Sequence, residues 1–557
     1  MTQSVHDLLE QHFDTAFAAP GGIPKLRELI LTLAMQGKLV EQNPNDPPAS
    51  ELLKEIEAEK QRLIADKKFK KPKSLPPIKP EEVSQQLPNG WAWVRLRDIC
   101  HDWGQKTPDS MFTYIDVGSI DNKLGIITSN TQILDASDAP SRARKIVKPG
   151  TIIYSTVRPY LLNVAVVEQQ YEPEPIASTA FAILHPFSSV IARFVYHYLR
   201  SPFFIRYVES TQKGVAYPAI NDGDFFSGIF PLPPYLEQHR IVARIDQLMK
   251  RCDELEKLRK DREEKRLQVH AAAIKQLLNA PENSGWSFIQ QHFGELYTVK
   301  ENVAELRKAI LQLAVMGRLV PQDPNDPPAS ELLKEIEAEK QRLISEKKIK
   351  KQKPLPPIKP EEIKHGLPSG WEWVRLGDIG NWKSGSTPSR SNPSYYGGDI
   401  PWVKSGEVKQ GRIKTTEETI TQVALEKCSL GLNPVGSVLV AMYGANIGEV
   451  GILEIEATTN QAVCACQTYA HFDENYLLYL ITSMKPYFLS QGAGAAQPNI
   501  SREKIIATVF PLPPLPEQRR IVVRIDQLMA LCDKLDSQID ATTNKQKALL
   551  NAVMAQV

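Results

Sequence analysis

PNDPPASELLKEIEAEKQRLI, residues 44–64, returns letter for letter as residues 324–344, an offset of 280. QHF at 11–13 returns at 291–293, GW at 90–91 at 370–371, and WVRL at 93–96 at 373–376. FPLPP at 230–234 returns at 510–514, and RIDQLM at 244–249 returns at 524–529. Between residues 99 and 229 the first copy hardly resembles the second. One scaffold is kept twice while the stretch it carries differs, so the chain offers two unlike surfaces on one repeated, symmetric frame.

At 557 residues the chain is too long for a single core, and three or more domains are expected. Composition is ordinary apart from 42 prolines, many at the repeat junctions. A formal charge of +2 means that a polyanionic partner has to be argued from local patches. Acidic residues near the amino terminus (Asp7, Glu10) and the lack of an apolar core there argue against a signal peptide. No apolar run has the length to cross a bilayer, and a cytoplasmic location is expected. The six cysteines form no CxxC pair. Cys252 and Cys532 are repeat equivalents at apolar helical positions and read as buried thiols. Cys464 and Cys466 alternate along a strand pattern without a histidine at ligand spacing, so no structural metal is expected.

Each copy reads as arm, insert and long helix. In the arm, Leu26, Leu29, Ile30, Leu33 and Ala34 follow helical spacing, with a stop near Gly37. After the NDPP break, Ser50 is expected to cap a charged helix over about 51–68. A basic run follows (Lys67, Lys68, Lys70, Lys71, Lys73), repeated as Lys347, Lys348, Lys350, Lys351 and Lys353, and then a stiff proline-rich linker. The inserts, about 95–230 and 375–510, are rich in Gly, Ser, Thr, Tyr and Val, with short apolar runs between turn signals. Each carries one later helical stretch, 191–199 and 474–482, which gives an α+β domain with long loops. Beyond PLPP, Ile521, Ile525, Leu528, Cys532, Leu535 and Ile539 are spaced 4-3-4-3-4, a coiled-coil seam. Ile241, Ile245, Leu248, Cys252 and Leu255 repeat it, in a helix expected over 237–278. Two antiparallel, coiled-coil-like helices of this kind act as a ruler between the inserts or form an ordinary bundle.

No catalytic constellation is present: there is no GxxxxGK[ST] loop and no helicase-like set of motifs. Asn392-Pro393-Ser394-Tyr395 is one residue from the NPPY pattern of adenine methyltransferases, but no glycine-rich cofactor strand precedes it. The YYGGD run at 395–399 reads better as a turn. The ten histidines are scattered, and the equivalents His12 and His292 read as packing residues in an arm helix.

These features together resemble the specificity subunit of a type I restriction-modification enzyme. The resemblance rests on PLPPxxEQxRIV at 231–242 and 511–522, on LPxGWxWVRL opening each insert, and on Gly385-Ser386-Thr387-Pro388. YGG at 396–398, IPWV at 400–403, TNQ at 459–461 and QPNI at 497–500 belong with it. The first insert keeps Thr107-Pro108 but has YIDVGSI at 114–120 and TVRPY at 156–160 instead, which leaves residue-by-residue equivalence of the inserts open. The resemblance implies a pseudo-twofold α+β chain: a helical arm (1–80), a target recognition domain (88–235), a long central helix (236–280), a second arm (281–360), a second recognition domain (368–515) and a terminal helix (516–557). Each recognition domain would read one half of a split, asymmetric site in double-stranded DNA, with the helices setting the unread gap. It implies a non-catalytic subunit with no cofactor of its own. Two methylation subunits would carry S-adenosylmethionine and modify adenine, and restriction (motor-nuclease) subunits would use ATP and Mg.

Base reading needs groups that reach groove edges, Arg for guanine and Asn or Gln for adenine, while phosphate contact needs Lys, Arg and small hydroxyls. In the first insert these are Tyr114, Ser119, Asn122, Lys123, Arg158, Tyr160, Lys213, Tyr217 and Asn221. In the second they are Thr387, Ser389, Arg390, Lys404, Lys409, Arg412, Tyr443, Asn446, Gln497 and Asn499. A solvated loop residue is the alternative at each position, and a solvated face or a phosphate clamp at the lysine runs. Trp91, Trp93, Trp371 and Trp373 read as packing. A protein-binding assembly adaptor on the same scaffold is the competing function, and a solitary methyltransferase a third.

Overall fold

The computed structural model describes all residues except 1–16, 68–74, 84, 215–216, 280–283, 364, 493–497 and 556–557. The first-copy lysines Lys68, Lys70, Lys71 and Lys73, His12 and Gln497 therefore lie outside the described residues. The chain divides into two compact units, residues 1–262 with 542–557, and residues 263–541. Each long helix is divided between the units, at 262/263 and at 541/542.

In the first unit the arm helix Gly22–Met35 ends where Gly37 takes φ 67°. A Cβ there would stand 2.4 Å from Pro88 Cγ, so only glycine closes this helix against the loop leading to the insert. The next helix is Ala49–Ala65; its N-cap is Pro48, without a side-chain cap. Ser50 is thus not the cap: the prolines set the extended entry, and the Ala49 N–H donates to Gly90 O at 2.7 Å.

The insert is closed by a two-stranded antiparallel ribbon, Ala92–Arg95 against Ile229–Leu232, pairing Trp93 with Pro231 and Val94 with Phe230. Inside it lie two four-stranded sheets, the first mixed and the second antiparallel throughout. One has the order Gln132–Leu134, Phe112–Ile115, Pro175–Ser178, Ala143–Ile146. The other runs Cys100–His101, Phe181–Pro186, Ile152–Ser155, Val164–Val166. The expected helical stretch is Ala192–Leu199, but a second helix, Pro202–Thr211, follows it at once. Pro202 cannot continue the first helix, and the Ser201 hydroxyl caps the second.

The second unit repeats the frame. Lys300–Val315 and Ala329–Ser345 form the arm, and Glu372–Arg375 pairs with Val509–Leu512. Its insert holds a five-stranded sheet and a three-stranded sheet. The later helix is one piece, Glu474–Gly492, with Pro486 inside it. Asn392 caps the short turn Pro393–Tyr395, and Tyr396 already begins the strand Tyr396–Val403. The turn reading of the YYGGD run therefore fails beyond Tyr395, since YGGD is strand with an irregular register. Cys464 and Cys466 are buried on the strand Val463–Thr468, and all six cysteines are free thiols.

The long helices are Tyr235–Asn279 and Leu515–Ala555, 45 and 41 residues. At 1.5 Å per residue these are roughly 67 and 61 Å long. Ile241, Ile245 and Cys252 are buried in one core with Leu26 and Ile30 of the arm, while Leu255 is 46% exposed. The seam is thus buried in a core with the copy's own arm and insert and with Leu550 of the second long helix, and stops one step earlier than its spacing suggests. Arg27 fixes that contact, its guanidinium donating to Met249 O and to Asp253 (2.6 Å) and Glu256 (3.2 Å). Arg307 does the same to Met529 O, Asp533 and Asp536 in the second unit. His292 is partly exposed and packs on Phe288, ring centroids 4.6 Å apart.

The PLPPxxEQ motif is a fastening. Trp91 Nε1 donates to Glu237 (3.0 Å) and Trp371 Nε1 to Glu517 (2.9 Å), both carboxylates buried. Gln238, fully buried, donates to Pro233 O (3.1 Å) and accepts from Ile191 N (2.9 Å) at the start of an insert helix. Gln518 repeats this with Pro513 O (3.0 Å) and Asp473 N (3.2 Å). Removing this amide strands a buried donor and a buried acceptor. Gln518→Ala is expected to cost about 1–3 kcal/mol, read as a lower urea midpoint, whereas Arg524→Ala on the exposed face should leave it in place.

Candidate nucleic-acid interface

Both inserts contain one backbone turn, built identically from different residues. In the first, the strand Ile152–Ser155 leads through the turn Pro159–Leu161 to Val164–Val166. Arg158 N donates to Pro218 O (2.8 Å), Ile220 N to Thr156 O (3.0 Å) and Thr156 N to Ala180 O (2.9 Å). In the second, Val438–Ala441 leads through Gly444–Asn446 to Val450–Leu453. Gly444 N donates to Pro498 O (2.9 Å), Ile500 N to Met442 O (2.9 Å) and Met442 N to Ala462 O (2.8 Å). The loop segments keep the repeat offset, Ala219 and Asn499 being equivalent bridge residues opposite Val157 and Tyr443. The equivalence that the sequence left open is thus restored at this turn, with different side chains on the same frame.

Six first-insert candidates meet around this turn. Arg158 is exposed, and its guanidinium lies over the Tyr217 ring, 4.9 Å from the centroid. Tyr160 is 49% and Tyr217 69% exposed. Asn122 Nδ2 donates to Leu161 O (2.9 Å), tying its loop to the turn, and exposed Lys123 follows it. Arg200, which sequence reasoning missed, donates to the carbonyls of Asn122 (3.1 Å) and Lys123 (3.4 Å). Lys213 sits on the bridge with Ala219, 3.8 Å from Asp224. The other three are structural. Tyr114 is buried with Phe112, Ala143 and Ile176, since its strand runs inside a sheet. Ser119 is 2% exposed and bonded to Asp116, and the Asn221 side-chain Oδ1 caps the helix Asp222–Ser227 by accepting from Asp224 N (2.8 Å).

In the second insert Tyr443, 44% exposed, and Asn499 face one another across the turn, with Asn446 half-buried on it. Beside them opens a cleft of about 950 Å³ lined by Lys350, Lys383, Tyr443, Gln461, Arg502 and Glu503 among others. Its charged lining is three cations against one carboxylate. Lys383 and Arg502 carried no sequence signal; Gln461 stood in the TNQ motif, and Lys350 in the lysine run. The motif glycine Gly385 lines the cleft too, and a Cβ on it would meet Thr459 O at 2.1 Å, so strand and loop touch there through bare backbone.

The remaining described candidates are not among the residues lining this cleft. Arg390 makes a two-pronged pair with Glu418 (2.6 and 3.2 Å) over the Tyr396 ring, and Lys404 reaches Glu417 (2.7 Å) and Glu418 (3.0 Å). Arg412, on an edge strand, bonds Asn475 and stands 4.0 Å from Glu454. These cations already have partners, which counts against Arg390, Lys404 and Arg412 as contacts. Thr387 is half-buried; Ser389 is exposed and bonded to Ser391, and Lys409 is exposed. Hydrogen bonds from Arg390 and then Lys404 pull the Glu418 carboxyl down to about 2 from its ordinary 4.5. Its stabilisation is therefore complete above pH 4.5 and is lost as pH falls towards 2. Glu418→Gln should lower the urea midpoint at pH 6, and its gap to the parent should narrow below pH 4.5. A gap of constant size would show that Glu418 is not the anchor of this network.

Comparison with known proteins fits these two inserts. The family model described as "Type I restriction modification DNA specificity domain" matches residues 88–264 and 368–544. The EcoAI specificity subunit of Escherichia coli is 34% identical, covering 96% of this chain and 93% of the relative. The EcoEI specificity subunit of Escherichia coli is 32% identical over the same shares, 96% and 93%. Among solved structures, the HsdS subunit from Thermoanaerobacter tengcongensis aligns with TM-score 0.47 and 24% identity, over 85% of this chain and 98% of that one. No described helix is long and apolar enough to cross a membrane. The match of the family model to both inserts and the likeness of nearly the whole chain to two specificity subunits show that the chain belongs to the family of type I restriction-modification specificity subunits.

Proposed function

We propose that this chain is the DNA-reading subunit of a type I restriction-modification complex, each insert reading one half of a split site in duplex DNA. The observation that carries the reading is the shared turn with unlike side chains, Arg158, Tyr160 and Ala219 in one insert against Gly444, Asn446 and Asn499 in the other. Equal backbones give equal approach to a groove, and unlike side chains give different half-sites. Arginine and asparagine offer the donors and acceptors that distinguish bases in the major groove, and the lysines beside them suit phosphates. Methyl transfer belongs in this reading to two methylation subunits with S-adenosylmethionine, and cleavage to restriction subunits with ATP and Mg. They would dock on the repeated arms and long helices, which explains why those parts were kept alike.

The reading makes two measurable claims about the chain in complex with its methylation partner. Binding to random duplex should weaken steeply between about 50 and 200 mM salt, by on the order of a thousandfold if six or so phosphates are neutralised. Salt-independent or absent binding would favour the protein-assembly adaptor instead. Replacing residues 375–510 by the corresponding insert of another family member should change methylation at one half-site only. A change at both halves would sink the modular reading.

A further inference from the structure

The shared turn requires two residues in the left-handed region, and the two inserts meet that requirement differently. In the second insert the positions are Gly444 (φ 66°) and Gly448 (φ 77°). In the first they are Arg158 (φ 48°) and Leu162 (φ 53°). Glycine takes this conformation without penalty, while an L side chain meets its own carbonyl there. A strained, exposed arginine at a position where the same frame accepts glycine has to be retained for what its side chain does.

What surrounds that side chain narrows the role. No described carboxylate pairs with the Arg158 guanidinium; its recorded side-chain contact is the face of Tyr217, at 4.9 Å. Arg390 supplies the contrast, lying over Tyr396 at 4.5 Å while both prongs are taken by Glu418. Stacking on a tyrosine restrains the plane of the guanidinium and leaves its edge donors free. A planar fork of donors matches the O6 and N7 acceptors of guanine in the major groove, where a lysine would bring only a point charge. The neighbours Tyr160 and Lys123 are exposed, and the bond from Asn122 to Leu161 O joins their two loops.

We propose that Arg158, stacked on Tyr217 at the turn where the second insert carries Gly444, is the guanine-reading residue of the first insert. Tyr217 is its positioning residue. The assignment rests on the DNA-reading function proposed above and narrows it to one side chain and one base.

The test uses the full chain with its methylation partner and a duplex library with one half-site randomised, read out by sequencing the bound or methylated duplexes. Arg158→Gly should keep or raise the melting temperature, because it relieves the left-handed strain. It should keep affinity for random duplex within about threefold while the preference for guanine at one position falls about tenfold or more. Arg158→Lys, which keeps the charge, should lose the same preference. Three results overturn the assignment: an unchanged preference in Arg158→Gly, an equal loss on all sequences (a phosphate contact), or a lowered melting temperature (a structural role). If the parent complex itself shows no salt-dependent duplex binding, the DNA-reading function fails, and the assignment with it.

Discussion

A buried carboxylate and a buried amide side by side, Glu237 and Gln238, hold the first copy together, and Glu517 and Gln518 the second. A carboxylate in such a place is costly, and burial raises the pKa of Glu237 and of Glu517 in spite of their hydrogen bonds. The compensation comes from three separate parts of the chain. Trp91 comes from the strand that opens the insert, Gln42 from the arm, and Arg240, paired with Asp46, from the next turn of the long helix. Arm, insert and helix therefore converge on two adjacent residues. Polar contacts of this kind specify one arrangement more sharply than apolar contact alone does, which accounts for a polar motif persisting where an apolar one would bury more cheaply.

That fastening explains how the inserts were free to diverge. The closing ribbon pairs the first and last strands of each insert, so the chain leaves and rejoins the frame at one place. Arg95 and Arg375 seal the same corner, each buried and paired with Glu82 or Glu362. Beyond the ribbon, the bonds that the two turns share are main-chain ones, Arg158 N to Pro218 O in one copy and Gly444 N to Pro498 O in the other. A main-chain bond is indifferent to the side chain on its residue. Sequence can change at such a turn without changing the direction in which the turn points.

The scaffold was legible because its signals are local and repeated. Seam spacing, the Gly37 stop and the proline breaks each state one element's boundary, and the long helix was read within two residues at its start and one at its end. What the seam packs against was not legible, since apolar spacing names a face and not its partner; Arg27 and the arm turned out to supply it. The candidate interface divided along similar lines. Loop residues next to turn signals are exposed at the shared turn of their own insert, Arg158, Tyr160 and Tyr217 in the first and Tyr443 and Asn499 in the second. Tyr114 and Asn221 misled because a tyrosine in a short strand and an asparagine before a helix look the same whether they serve a partner or the fold. Lys383 and Arg502 were invisible because only the tertiary fold brings a strand end and a short helix to one cleft.

A chain of nearly zero net charge can still suit a polyanion, because cations differ in what they already hold. Arg390, Lys404 and Lys485 are each matched within the protein by Glu418, Glu417 or Glu449, and add little to the outward field. Arg158 and the lysines lining the cleft have no such recorded carboxylate partner among the described residues. Interspersed pairs also suppress indiscriminate attraction to any nucleic acid, since a uniformly basic surface would hold every sequence about equally. On the proposed function, discrimination would fall to the few unmatched donors on the shared turn, whose contribution depends on the base they meet and not on the charge of the backbone.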